Sequence, residues 1–192
     1  MRVPAFRVSA LALLLPALIA LGGCIDEIPD AAVSRGDVRN AIAKGSMQSP
    51  RGATVALASI EGGPSAFEDR FRQAFAKEAA DREITMSDPQ AAHFLVRGYL
   101  SAYPSEKGTD VAYVYDLFDA NSRTRVSRIN DVITVPGSGA DAWALVDNRV
   151  MASLAGRSAD NLAVLLAATP EARAATSGTR AVAATGTAKP LN

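Results

Sequence analysis

The stretch HFLVRGYLSAYPSEKGTDVAYVYDLFD, residues 93–119, decides the fold. It holds two apolar runs, His93–Tyr103 and Val111–Asp119, separated by Pro104-Ser105-Glu106-Lys107-Gly108-Thr109. Runs rich in Val, Tyr, Phe and Leu on either side of a Gly-bearing loop predict a β-hairpin. If Ser105–Gly108 forms a four-residue loop, Pro104 opposes Thr109 and Arg97 opposes Asp116. Opposite charges directly across a sheet are favourable. The same register gathers Phe94, Val96, Leu100, Val111, Tyr113, Tyr115 and Leu117 on one face, apolar enough to be the core. The other face carries His93, Leu95, Arg97, Tyr99, Tyr103, Val114, Asp116 and Phe118. A slip of one residue would scramble both sets. A third strand, Arg125–Val135, follows the turn Asn121-Ser122-Arg123-Thr124 and completes an antiparallel meander.

Upstream, Thr54–Ile60 is a short uncharged run, the pattern of a strand buried on both faces. Glu61-Gly62-Gly63-Pro64 ends it. Ser65 and Glu68 then fit a capping box. Phe67, Phe71, Phe75 and Ala79 recur every four residues, so a helix with one buried stripe is predicted to about Arg82. Ile84–Ser87 reads as a brief strand, stopped by Asp88-Pro89. Downstream of the meander, Trp143, Val146, Val150, Leu154, Asn161 or Leu162, and Leu165 follow a spacing of threes and fours. They predict a long helix over 141–168, with a break at Gly156 as the alternative. The expected fold class is α/β (α+β): a mixed five-stranded sheet built as β-α-β, then the antiparallel meander, then the long C-terminal helix. This domain spans residues 52–168. Residues 169–192, rich in Ala, Thr, Gly and Ser, are expected to be a disordered tail.

Residues 1–23 are a different kind of segment. Arg2 and Arg7 precede an apolar run from Val8 to Leu21, which is short for a membrane span of about 20 residues. The run ends in Leu21-Gly22-Gly23-Cys24, and Cys24 is the single cysteine of the chain. This stretch resembles the lipobox of bacterial lipoproteins. The resemblance implies that residues 1–23 are a signal peptide, that Cys24 is diacylated and becomes the new N-terminus, and that a further acyl chain is added there. One acyl chain holds a protein marginally, at about 0.8 kcal/mol per buried CH₂, and two hold it stably. In that family an Asp directly after the cysteine retains the protein at the inner membrane. Ile25 occupies that position here, which implies the periplasmic leaflet of the outer membrane. Residues 24–51, with Pro29, Gly36, Gly45 and Pro50, read as the lipidated cysteine and a flexible tether, with a short helix near Val33 to Ala43.

The remaining residues carry little chemistry. Lysine plus arginine and aspartate plus glutamate number 20 each, and loss of Arg2 and Arg7 makes the mature chain slightly acidic. A nucleic-acid binder would show a basic surplus. His93 is the only histidine, so neither a histidine-ligated metal nor a cofactor is expected. The turn Glu61-Gly62-Gly63-Pro64 lacks phosphate-loop spacing. Asp110, Asp116, Asp119 and Asp131 fall on or beside the meander, and a pair of them in one cleft would suit glycoside hydrolysis. The residues singled out are instead Arg97, Tyr99, Tyr103, Asp116, Phe118 and Arg128. They form a candidate partner-binding face, because Tyr and Arg are enriched at binding hot spots. The alternative is that the tether or a helix covers that face.

The element order over residues 52–168 also resembles small envelope proteins: the lipoproteins that activate penicillin-binding proteins, the curli-secretion lipoprotein and the N-terminal domain of the TolB translocation protein. The resemblance rests on the strand entering Gly62-Gly63-Pro64 and its helix, and on the Tyr113–Asp119 strand leading through a turn to a basic strand. It implies a lipid-anchored protein with a non-catalytic role beside an envelope protein partner, in cell-wall synthesis or in export. A carboxylate-based glycan-active enzyme and a purely structural envelope lipoprotein are the competing expectations. The anchor is tested by Cys24→Ala. The variant should keep its leader and lose metabolic labelling with radioactive palmitate; undiminished labelling would remove the lipobox.

Overall fold

A computed structural model of the chain describes residues 37–185. The leader, Cys24 and the tether as far as residue 36 lie outside the described residues, as do residues 186–192. The elements in chain order are α1 (Asp37–Ala43), β1 (Val55–Glu61), α2 (Ser65–Ala80), β2 (Phe94–Ser105), β3 (Gly108–Asp119), β4 (Arg125–Val135), α3 (Asn148–Ala167) and α4 (Pro170–Thr185). The strands form one sheet in the order β1-β2-β3-β4. β1 and β2 are parallel, joined through α2, and the other two pairings are antiparallel.

The hairpin register is the expected one. Pro104 pairs with Thr109 and Arg97 with Asp116. The strands run one pair further, to Ser105 and Gly108, so only Glu106 and Lys107 form the tip. All seven side chains assigned to the core face are buried in the main apolar cluster. Phe67, Phe71, Phe75 and Ala79 of α2 pack onto it, together with Leu154, Leu162 and Leu166 of α3. Tyr115 joins these layers. Its ring stacks on Phe71 with centroids 6.3 Å apart, and its hydroxyl lies 3.0 Å from Ser158 Oγ in α3. Burial pushes the Tyr115 phenol pKa well above its ordinary value. The ring needs Gly98 beside it: a Cβ there would sit 2.4 Å from Ile60 Cδ1 and 2.8 Å from Tyr115 Cε1.

Five expectations are corrected. The sheet has four strands, not five. Ile84–Ser87 supplies a single parallel bridge, Val55 to Met86, with Val55 N–H donating to Thr85 O and Ser87 N–H to Val55 O. Pro89, with no N–H, ends the approach. Past that point the β1 edge is capped by α2, where Arg72 Nη1 donates to Leu57 O at 3.3 Å. The capping box does not form either. Helix α2 starts at Ser65 on Pro64, whose carbonyl accepts from Phe67 N and Glu68 N, and no side chain caps it.

The long C-terminal helix is broken, though not at Gly156, through which α3 runs on. A 3₁₀ turn, Ala142–Leu145, precedes α3, and each piece has its own aspartate N-cap. Asp141 accepts from Trp143 N at 3.0 Å and Asp147 from Val150 N at 2.8 Å. Finally, Pro170–Thr185 of the expected disordered tail is helical. Its alanines favour helix, and its small side chains permit close approach: a Cβ on Gly52 would lie 2.5 Å from Ala175 Cβ. The last part of the expected tether is also packed down, since Val38 of α1 is buried within the core.

A charged pair also lies inside the domain. Arg82, just past α2, is fully buried and donates through Nε to Asp160 Oδ1 of α3 at 2.5 Å. Its Nη1 also donates to Glu78 Oε2 at 2.8 Å. Burial alone works to lower the Arg82 pKa, but these two carboxylates outweigh it and the net shift is upward. Removing one partner of a buried pair strands the other charge. Asp160→Leu should therefore cost about 3–5 kcal/mol in urea unfolding. Adding Arg82→Met should recover most of the loss, because Glu78 reaches water. A double variant no more stable than Asp160→Leu would show that the pair is not what strands the charge.

Candidate functional site

The second sheet face is built by rows of cross-strand neighbours, and the register fixes which residues share a row. At one end Ala56, Leu95 and Phe118 stand together, with Arg125 opposite Phe118. Next come Ser59, Arg97, Asp116 and Arg128, then Glu61, Tyr99, Val114 and Asn130. The small pair Ser101 and Ala112 follows, beside Val132, and then Tyr103, Asp110 and Thr134. Ala92 and Ala120 pack on Leu95, Ala56 and Phe118 and close the first row. Among the described residues no element packs over the rest. Tyr99 is 40% exposed, Tyr103 44%, Val126 52% and Val132 42%, against 4% for Asp116.

All six residues singled out from the sequence therefore lie on this face, and three of them share one row. Arg128 grips Asp116 with both arms, Nε to Oδ1 and Nη2 to Oδ2, each at 2.7 Å. Arg97 lies over Phe118, its guanidinium carbon 5.2 Å from the ring centre. Arg125 Nη1 stands 3.6 Å from Asp116 Oδ1. The Arg128 hydrogen bonds hold the Asp116 carboxyl below its ordinary value. Burial opposes them, and the charges of Arg128, Arg125 and Arg97 add to the lowering.

Arg125, Val126 and Val132 were not singled out from sequence. Counting back by two from Arg128 puts Val126 on this face and Arg125 on the core side. A register shift where Leu117 and Phe118 meet Ser127 and Arg125 breaks that alternation and brings Arg125 across. Val126 and Val132 were legible by alternation, but isolated valines carry no functional signal.

Asp110 and Asp116 are too far apart for paired acid–base work, and the other meander carboxylates each have local partners. Asp110 and Asp116 are six residues apart on one strand, about 20 Å, where a catalytic pair needs about 5–9.5 Å. Asp110 accepts from the Thr134 hydroxyl at 2.7 Å. Asp119 Oδ1 accepts from Asn121 N and Ser122 N and pins the β3–β4 turn. Asp131 lies on the helix side, where its Oδ2 takes the Tyr113 hydroxyl at 2.7 Å and pairs with Arg157 of α3. His93 sits at the β1–β2 end, its Nδ1 3.0 Å from Thr54 Oγ1. Among the described residues no group of three or more His, Cys, Asp or Glu side chains is placed to hold a metal ion.

The Asp116 row has a pH signature. Its folded-state pKa is lowered, so its contribution to stability is complete above the unfolded value of about 3.9. The contribution is lost as pH falls from there through the folded pKa. Asp116→Asn should cost about 1–2 kcal/mol at neutral pH, the Arg128 end being half-exposed and screened. It should also flatten the decline of stability below about pH 4. Urea midpoints across acidic pH check this; parallel curves for the variant and the parent would refute it.

No family model matches the chain, and no curated protein matches it. Among the described residues no helix is long and apolar enough to cross a membrane. The chain is similar to several solved structures. A Xanthomonas campestris protein of the DUF330 family shares 9% identity at a TM-score of 0.41, over 58% of this chain and 81% of that one. The PelC dodecamer from Paraburkholderia phytofirmans shares 10% identity at 0.39, over 58% and 88%. A candidate lipoprotein from Caulobacter crescentus shares 13% identity at 0.39, over 62% and 90%. Likeness at this level assigns no role to this chain.

Proposed function

We propose that this chain is a lipid-anchored envelope protein whose domain is a non-catalytic docking module, with the outer membrane as the site of the anchor. The open sheet face carries the proposal. α2 and α3 cover the other side of the sheet, while Tyr99, Tyr103, Val126 and Val132 stand in solvent around an arginine cluster. Tyr and Arg favour binding because they bring large contact area and forked donors at low entropic cost. The Leu21-Gly22-Gly23-Cys24 stretch supports the anchor. A protein held at the membrane meets its neighbours at raised effective concentration, so a modest interface suffices. The partner is a protein of the same envelope, in cell-wall synthesis or in an export assembly.

A photo-crosslinking residue placed at Tyr99 or Tyr103 in cells should give one discrete adduct band. The same residue at Lys77, on the outside of α2, should not. Tyr99→Ala with Tyr103→Ala should reduce the yield of an adduct formed from Val132, while leaving the thermal midpoint within a few degrees. Equal yields from Lys77 and Tyr99 would sink the docking-face proposal.

A further inference from the structure

We infer that the open face takes an acidic polypeptide segment, with Arg97 and Arg125 receiving its carboxylates. This deepens the docking proposal above and rests on it. Asp116 is buried, and each of its oxygens accepts a hydrogen bond from Arg128. That pair is neutral as a unit. Arg97 and Arg125 remain in surplus beside it. Arg97 makes no ion pair among the described residues and is held over the Phe118 ring. Arg125 is half-exposed and reaches Asp116 only at 3.6 Å. Both lie close enough to lower the pKa of the same carboxyl, so a second carboxylate above this row would sit in the field of both. The cation–π contact with Phe118 restrains Arg97 before a ligand arrives, which reduces the ordering cost of binding.

The rest of the face narrows the occupant to a polypeptide. Asp110 lies at the opposite end of β3, and Glu61 shares the Tyr99 row. A uniformly anionic lipid surface laid on this face would meet those carboxylates as well as the arginines. A peptide can place carboxylates over Arg97 and Arg125 alone. It can then run neutral or basic toward Asp110. Between the two ends Tyr99 and Tyr103 stand about 13 Å apart along β2. Ser101 and Ala112 lie low between them. An apolar side chain of the segment fits there, against Val132.

The test uses the full chain in detergent and a short dye-labelled peptide with two adjacent glutamates beside leucine and tyrosine. Its counterpart carries glutamines instead. Fluorescence anisotropy should show binding of the glutamate peptide, weakened by salt, and about ten-fold weaker binding of the glutamine peptide. Arg97→Gln and Arg125→Gln should each weaken the glutamate peptide about ten-fold. Arg70→Gln and Arg149→Gln, on the helices, should not. Equal affinity for both peptides overturns the inference. So does retention of the full chain on phosphatidylglycerol vesicles through Arg97 and Arg125 without peptide binding. If Tyr99 crosslinks a partner whose yield the arginine variants do not change, the docking face stands and the acidic occupant falls. If Tyr99 gives no discrete adduct, both fall.

Discussion

The β2–β3 register is the constraint on which the rest of the molecule depends. Side chains alternate with a period of two, so a single choice of pairing settles both faces of the sheet. With Arg97 opposite Asp116, Phe94, Val96, Leu100, Val111, Tyr113, Tyr115 and Leu117 point at α2 and α3, and the arginines and exposed tyrosines point away. The ion pairs that Asp116 makes with Arg128 and Arg125 do not hold the register. A half-exposed ion pair contributes about 1 kcal/mol or less. Burying Val96, Leu100, Val111, Tyr113, Tyr115 and Leu117 contributes about 1.5–3 kcal/mol for each large apolar side chain. The core sets the pairing, and the row Arg97–Asp116–Arg128 is what that pairing leaves on the outside.

Because charge and core agree on one register, the hairpin was readable without coordinates, and so was the stripe of α2. Local consistency of this kind is what makes a sequence legible. The failures share a different cause. Arg82 and Asp160 are 78 residues apart and look like ordinary surface charges on their own helices. Only the packing of α2 on α3 makes them partners. Arg125 was missed because a register shift reverses the alternation just where it enters β4. The tail 169–192 has the composition of a disordered segment, yet the same small residues let α4 approach Gly52 closely. Composition records what a segment is unable to bury, and it is silent on how near it can come.

The break before α3 is a case where the signal was present and was outweighed. The three-and-four spacing from Trp143 to Leu165 reads as one helix. Asp141 and Asp147 each precede a run that they cap, and two N-caps six residues apart imply two starts. The capping box at Ser65 failed in the opposite sense. Its pattern was complete, but Pro64, with φ −58° and ψ 143°, already supplies the entry geometry, and its carbonyl begins the helix one residue early.

An antiparallel sheet with one wet face needs no explanation by itself. What such a face usually carries is long, flexible, fully solvated charge. This one carries two half-exposed tyrosines, two half-exposed valines and arginines that are already ordered. Arg128 is fixed by both oxygens of a buried carboxylate, and Arg97 by an aromatic ring. Ordering a side chain in the free protein has an entropic cost that a purely solvated surface never bears. It also removes that cost from any later association, where each immobilised side chain otherwise takes about 0.5–1.5 kcal/mol. The buried Asp116 therefore does two things at once. It neutralises Arg128, and it arranges three cations around a single point from which only one of them is fully engaged.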